Sequence, residues 1–220
     1  AGMAVRFKTR NDEKVMLKVA ISYVSVEQAR KNMLAELPGW DFEQVKQASF
    51  SEWNDWLGRI EVEGGSREQQ IKLYTDLWHA LLGRHVVSDA DGHYMDMTSD
   101  FPRIRQIPLG EDGKPLYNHH NFDAWWGSHW SLNILWSMAY PEVMDNFCNT
   151  MTDMYQNGGL IPRGPSGGNY TYVMIGDPAV SFFASAYNKG ICNYDAELAY
   201  EGLRKNAFVG GIRDHAGYEH

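Results

Sequence analysis

Three scarce features of the sequence exclude broad classes of protein. Cysteine occurs only twice in 220 residues, at Cys148 and Cys192, without the spacing of a metal site. Two buried thiols account for this pattern better than a disulfide does, and they say little about the cellular compartment. No stretch approaches the ~18 consecutive apolar residues of a membrane span, and residues 1–7 lack the layout of a signal peptide. The sequence therefore predicts a soluble piece without a membrane partner, whose targeting segment was removed or lies outside it.

Concentrated positive charge is also missing. Asp and Glu total 28 against 20 Lys and Arg, which gives a net charge of −8, and the basic residues form no run. Binding to nucleic-acid phosphates needs a clustered basic face. The sequence therefore predicts no nucleic-acid partner.

Aromatic residues, in contrast, are abundant. The chain contains eight Trp and twelve Tyr, and three of the Trp fall within residues 125–130. Rings that bury an apolar face while they present a polar edge suit sugar binding. The alternative, packing in the hydrophobic core, stays open for most of these rings.

Residues 157–177 carry the strongest functional signal. They hold six Gly and two Pro between two segments of helical period, so they cannot form a helix or a regular strand. Compact domains rarely keep loops longer than ~12–15 residues unless the loop builds a site. The alternative is an ordered connection that only packs on its neighbours. The polar members of this Gly-rich loop suit a hydroxyl-rich ligand: Arg163, Ser166, Asn169, Tyr170, Thr171, Tyr172 and Asp177.

Apolar residues alternate with polar ones in the first 25 residues, on both sides of the polar stretch 9–13. This period of two predicts a β-hairpin with one buried face. Because a lone hairpin is marginal in water, we expect its strands to complete a larger sheet. No later segment repeats the pattern, so residues 1–25 are interpreted as the last strands of a β domain or as an edge added to helices.

Most of the remaining chain shows helical period. Capping-box signatures at Asp41 and Ser66 each open a predicted helix, and Asp195 caps a later one. Other helices are predicted over 26–37 and 128–140, from Pro141 onward, and from Val180 to Lys189. Residues 83–120 are predicted to be rich in loops. Helices paired through polar loops indicate an array of α-hairpins with its sites at the loop ends.

The most polar point of the loop-rich region is Asp89-Ala90-Asp91-Gly92. It resembles part of a calcium loop, but the remaining ligand positions and the closing Glu of an EF-hand are absent. We therefore interpret it as a turn. The histidines at 85, 93, 119 and 120 show no metal spacing either, so no metal ligand is assigned.

Five motifs follow one another along the chain in a recognisable order. They are Ile60-Glu61-Val62-Glu63-Gly64-Gly65, the predicted helix Tyr74–Leu82, Ser88-Asp89 with Gly92 and Tyr94, Tyr140-Pro141-Glu142, and Gly158-Gly159-Leu160-Ile161-Pro162 with Met174 and Gly176. Together they resemble glycoside hydrolase family 92. Residues 3–40 also resemble the end of that family's N-terminal β-sandwich, so the resemblance covers almost the whole chain.

The resemblance implies a calcium-dependent exo-α-mannosidase that inverts the anomeric centre, built from a β-sandwich followed by an (α/α)6 barrel. The implied fold class is α+β but mainly α, with residues 1–40 as the end of the sandwich, 41–65 as a linker helix and 66–220 as the first half of the barrel. Most calcium ligands and the catalytic base would lie outside this chain. The remainder of the parent chain is then a required partner, and the location is periplasmic or extracellular.

The resemblance also assigns candidate site residues. The family's general acid, a Glu that follows an Asn in the Gly-rich region, maps onto Tyr170, so the expected acid is not a carboxyl. The Trp-Asp pair that grips the terminal mannose maps onto Trp126-Gly127. A family Arg maps onto Trp130, and a family His onto Pro178. Departures gathered at sugar-contacting positions indicate changed specificity. The residues expected to bind the glycan substrate are Trp125, Trp126, Arg163, Asn169 and Asp177.

Two functions follow from these departures. Inverting chemistry needs a protonated carboxyl and a carboxylate about 6.5–9.5 Å apart. An enzyme without the protonated carboxyl would suit a substrate with a good leaving group, such as a mannosyl phosphodiester. Tyr170 would then position substrate or donate a proton weakly. The alternative is a carbohydrate-binding or scaffold module without turnover.

Overall fold

The structure is a computed structural model that describes residues 4–122, 124–173 and 176–215. It is mainly helical. The α-helices are α1 (Val26–Glu36), α2 (Phe42–Leu57), α3 (Arg67–Leu82), α4 (Leu132–Ala139), α5 (Pro141–Gly158), α6 (Pro178–Asn188) and α7 (Ala196–Asn206). Two 3₁₀ helices span Trp125–Trp130 and Ile212–Asp214. The strands are β1 (His85–Val86), β2 (His93–Asp96), β3 (Arg103–Gln106) and β4 (His120–Asn121).

The helix starts follow the capping signals. Ser66 accepts a hydrogen bond from the Gln69 amide while the Gln69 side chain accepts one from the Ser66 amide, which completes a capping box before α3. The side chains of Asp41 and Asp195 likewise cap α2 and α7. Pro141 is the first residue of α5, where its missing N–H costs nothing. The predicted starts of these helices are confirmed.

The predicted hairpin in residues 1–25 is wrong for the part that the structure describes. Residues 4–24 form no strand there, although the chain does turn at Asn11 and Asp12. Apolar side chains of this segment, such as Leu17 at 82% exposure, have no sheet to pack on. Alternation alone does not supply partner strands, and an isolated hairpin is marginal in water.

Short strands occur instead in the loop-rich region, where the sequence pattern predicts none. β2 pairs with β3 in an antiparallel hairpin, with Tyr94 opposite Arg105. β1 pairs with β4 across more than thirty residues of chain, with His85 opposite Asn121. These strands are two to four residues long, too short for a periodic signal.

The hydrophobic core is built around α5. Its Phe147 is fully buried and lies against Trp125, Trp136 and Phe182, with ring centroids 4.8, 5.6 and 6.1 Å away. These rings come from the Trp125–Trp130 turn, α4 and α6. The core therefore holds together the helices that flank the Gly-rich loop.

Helix α2 is joined to this core by an aromatic and cationic stack. The guanidinium groups of Arg59 and Arg84 lie over the Trp56 ring, 4.3 and 4.0 Å from its centroid. Trp56 also stacks on Tyr140, whose hydroxyl donates to the Trp56 carbonyl at 3.0 Å. Such cation–π contacts contribute about 0.5–2 kcal/mol each. Among the described residues, no helix is long and apolar enough to cross a membrane.

Candidate functional site

The Gly-rich loop begins where α5 ends, and Tyr170 closes that end. Gly159 takes the left-handed conformation, φ 86°, that commonly terminates a helix. The Tyr170 hydroxyl donates to the Met154 carbonyl at 2.8 Å and accepts from the Leu160 amide at 3.2 Å. Burial raises the pKa of the Tyr170 hydroxyl well above its usual value. The hydroxyl is thus engaged inside the protein, and this geometry does not suit a proton donor to a leaving group.

A tight turn follows at Ser166–Asn169. The backbone amides of Ser166 and Asn169 each donate to the other's carbonyl, and Gly167 and Gly168 between them have φ values of 60° and 76°. Two consecutive residues with positive φ are the requirement of a type I′ turn, which favours glycine strongly. The turn projects Asn169 outward as an exposed side chain.

Arg163 supports the loop from within. Its guanidinium donates to four backbone carbonyls: those of Gly176 at 2.9 Å, Tyr172 at 3.3 Å, Ile212 at 2.9 Å and His215 at 2.5 Å. The residue is only 3% exposed, and burial lowers its pKa. These carbonyls engage the Arg163 donors and connect residues 172–176 of the loop to the 212–215 turn, and the expectation that Arg163 binds substrate stays a prediction.

Asp177 also lies inside the protein, at the start of α6. Both of its carboxylate oxygens are buried, and no donor among the described residues meets them. Burial raises the pKa of this carboxyl, against the opposing effects of Asn206, Arg213 and Arg163. Burial penalises the charged form of a carboxyl, so the neutral acid is favoured relative to an exposed Asp. The expectation that Asp177 binds substrate stays a prediction.

The neighbouring Trp125 and Trp126 have opposite surroundings. Trp125 is fully buried, with its ring centroid 3.9 Å from that of Phe182. Core side chains surround this ring, and the expectation that Trp125 contacts substrate stays a prediction. Trp126 is 61% exposed, and its ring is open to a ligand.

The Gly-rich loop and the segment that leads to Trp126 lie side by side. The Phe122 amide donates to the Pro165 carbonyl at 2.9 Å, and the Gly167 amide donates to the Asn121 side chain. The same turn contacts the end of β2, where the Met97 amide donates to the Gly168 carbonyl at 2.9 Å. The structure thus joins the turn that carries Asn169 to the strand that precedes Trp126, whereas Arg163, Tyr170 and Asp177 lie beneath the loop.

Comparison with known proteins identifies the family. The sequence model of the glycosyl hydrolase family 92 catalytic domain matches residues 28–219. The chain belongs to glycoside hydrolase family 92.

Solved structures of family 92 share the fold. A family 92 α-mannosidase from Bacteroides thetaiotaomicron is 26% identical with a TM-score of 0.74, over 83% of this chain and 23% of that one. An inverting mannosidase of the same family and organism is 25% identical with a TM-score of 0.73, over 84% of this chain and 24% of that one. The mainly helical architecture fits part of an (α/α)6 barrel.

A curated relative extends the comparison to a fungus. A protein of Arthroderma benhamiae described as an uncharacterized secreted glycosidase is 27% identical over 95% of this chain and 22% of that protein. The chain therefore spans less than a quarter of the length of each of these family 92 relatives.

The described residues do not form a complete site for the calcium ion that family 92 implies. No three His, Cys, Asp or Glu side chains lie together there in a group that could hold a metal. In the calcium-like sequence Asp89–Gly92, Asp89 accepts from Asn32 at 2.7 Å and Asp91 from Gln28 at 2.9 Å. These carboxylates connect the turn at 89–92 to α1, which agrees with the interpretation of the motif as a turn.

Motif reasoning missed Asn121 and the end of β2. Neither belongs to a motif of family 92 recognised in the sequence, and both contact the Gly-rich loop over long chain separations. The adjacent Gly167 and Gly168 are a sequence signal for a tight turn, but the sequence does not show which residues lie beside that turn.

Proposed function

We propose that this chain forms part of the substrate-binding region of a glycoside hydrolase that acts on terminal α-mannosides with inversion. The match of residues 28–219 to the family 92 catalytic domain carries the proposal. The similar folds of an α-mannosidase and an inverting mannosidase support the sugar and the stereochemistry.

The surroundings of Tyr170 support a substrate whose leaving group departs without a proton. The Tyr170 hydroxyl is bonded to the end of α5, and burial raises its pKa further from neutrality. A general acid works best with a pKa near the operating pH. An activated group, such as the phosphate of a mannosyl phosphodiester, does not need that assistance. Tyr170 then acts by fixing the loop beside the substrate.

Two side chains are proposed to touch the sugar. The exposed Trp126 ring offers an apolar face on which a pyranose can stack. The exposed Asn169 carboxamide offers N–H donors to a hydroxyl, because its Oδ1 already accepts from the Tyr170 amide at 2.7 Å. Neither group carries charge, which suits a neutral hexose.

The remaining features of the proposal concern the whole protein. We place the end of a β-sandwich at residues 1–40, with strands that form only against the rest of that sheet in the complete protein. A linker helix is placed at 41–65 and the first half of the barrel at 66–220. Calcium is proposed as the cofactor, with ligands supplied mostly by residues outside this chain. The secreted relative supports a periplasmic or extracellular location.

Kinetics with paired substrates tests the enzyme. The complete protein, with calcium present, should turn over an α-mannosyl phosphodiester and a nitrophenyl α-mannoside far faster than an unactivated mannobiose. General acid assistance is worth about 10²–10⁴-fold, most of it where the departing oxygen is basic. Equal kcat/KM values for activated and unactivated substrates would contradict the proposed leaving-group preference.

A carbohydrate-binding module without turnover is the second candidate. The engaged hydroxyl of Tyr170 favours it, because no carboxyl occupies the acid position. Saturable binding of mannose with no hydrolysis of any of the three substrates would establish the binding module instead of the enzyme.

A further inference from the structure

The turn at Ser166–Asn169 is held on both of its sides. On one side the Gly167 amide donates to Oδ1 of Asn121, the last residue of β4. On the other side the Met97 amide donates to the Gly168 carbonyl at 2.9 Å. The turn therefore lies fixed between two strand ends.

Several contacts hold the β2 side of this arrangement. Asp96, which precedes Met97, is buried and accepts hydrogen bonds from Arg105 at 3.2 Å and from the Thr98 hydroxyl at 2.6 Å. Its carboxylate also pairs with Arg103 at 2.9 Å. A Cβ added at Gly168 would collide with the Met95 carbonyl, so the backbones approach as closely as glycine permits.

On the β4 side the contact depends on one side chain. A backbone N–H can only donate, so Asn121 must present its oxygen to Gly167, and this fixes the orientation of the carboxamide. An aspartate at this position would keep the acceptor, whereas a leucine of similar size would remove it. The Gly167 amide would then lose its partner, and on the β4 side only the backbone bond from the Phe122 amide to the Pro165 carbonyl, next to the turn, would remain.

The turn carries the Asn169 side chain proposed to meet the sugar. That side chain is exposed, and apart from its bond to the Tyr170 amide it makes no hydrogen bond with the described residues. Its direction therefore follows from the backbone of the turn. We propose that Asn121 is a positioning residue, which sets through the Gly167 amide the direction of the Asn169 carboxamide toward a hydroxyl of the bound sugar. This inference rests on the proposed function.

The test compares three variants of the complete protein: Asn121→Leu, Asn121→Asp and the control Asn118→Leu. Asn118 lies three residues earlier, is exposed, and makes no side-chain hydrogen bond with the described residues. Hydrogen exchange of the Gly167 amide reports on the contact itself, and kcat and KM for a nitrophenyl α-mannoside report on its consequence. If Asn121→Leu does not fold, Asn121→Ala replaces it in the same comparison.

In Asn121→Leu we expect the Gly167 amide to exchange at least about tenfold faster, as it loses an acceptor. We expect kcat/KM to fall about 10–100-fold, mainly in kcat, since a displacement near 1 Å has effects of this size. Asn121→Asp should return both values to within about threefold of wild type, and Asn118→Leu should leave them unchanged.

Unchanged exchange at Gly167, or an Asn121→Asp variant as impaired as Asn121→Leu, would overturn the inference. If the wild-type protein hydrolyses no mannoside, the proposed enzyme fails, and the affinity for free mannose becomes the readout. Asn121→Leu should then weaken mannose binding while Asn121→Asp preserves it. Equal affinities in all variants would overturn the inference in that case too.

Discussion

Replacing Tyr170 by Phe removes a single oxygen from the end of α5. That oxygen is the acceptor for the buried Leu160 amide and the donor to the Met154 carbonyl. The carbonyl is on the helix ladder and keeps its intrahelical partner, but the amide loses its acceptor. A buried donor left without a partner costs about 1–3 kcal/mol. We expect the free energy of unfolding to fall by about that amount.

Urea denaturation of the complete protein, followed by tryptophan fluorescence, measures this loss. The exposed Tyr187 on α6 makes no hydrogen bond through its hydroxyl among the described residues, so Tyr187→Phe serves as the control with a change within about 0.5 kcal/mol. The midpoint should shift while the slope with urea stays constant. A Tyr170→Phe variant as stable as wild type, yet slower on unactivated mannosides only, would refute this reasoning and make the hydroxyl a proton donor.

Three further predictions follow from the same structure. Arg163→Met should destabilise the protein by about 1–3 kcal/mol for each buried carbonyl left without a donor, and thermal unfolding that matches wild type would contradict this role. Burial lowers the pKa of His120 to about 3, so the folded protein keeps it neutral while the unfolded chain protonates below pH ~6.5. Stability should therefore be complete above pH 6.5 and fall by up to about 1.4 kcal/mol per pH unit below it, and His120→Gln should flatten this pH profile of unfolding. Phe147→Ala should cost about 3–5 kcal/mol in urea denaturation because it leaves a cavity among the core rings, and a cost below 1 kcal/mol would refute the central place of α5.

Helix boundaries could be predicted from the sequence because their causes are local. Each of these signals acts on backbone groups within a few residues and begins a helix as predicted: the pair Ser66 and Gln69, Asp195, and Pro141. The alternation in residues 5–23 was a weaker guide, because a strand exists only when another strand pairs with it. Whether such a partner strand is present depends on the fold of the whole protein.

The candidate site also combines features with local causes and features that depend on distant residues. Gly167 and Gly168 form the kind of tight turn that adjacent glycines favour. Whether a polar side chain faces a ligand or the interior depends on residues far away in the chain: Arg163 reaches carbonyls at 212 and 215, and Tyr170 reaches Met154. Residue type alone therefore could not distinguish a sugar-binding Arg from one that supports the loop.

The first anomer released from an α-mannosyl phosphodiester tests the account most directly. Proton NMR of the complete protein with this substrate should show β-mannose appearing first and then mutarotating, since water attacks the face opposite the departing phosphate. Release of α-mannose first would contradict inversion. If the protein binds mannose but releases none from this substrate, the proposal that it is an enzyme is contradicted.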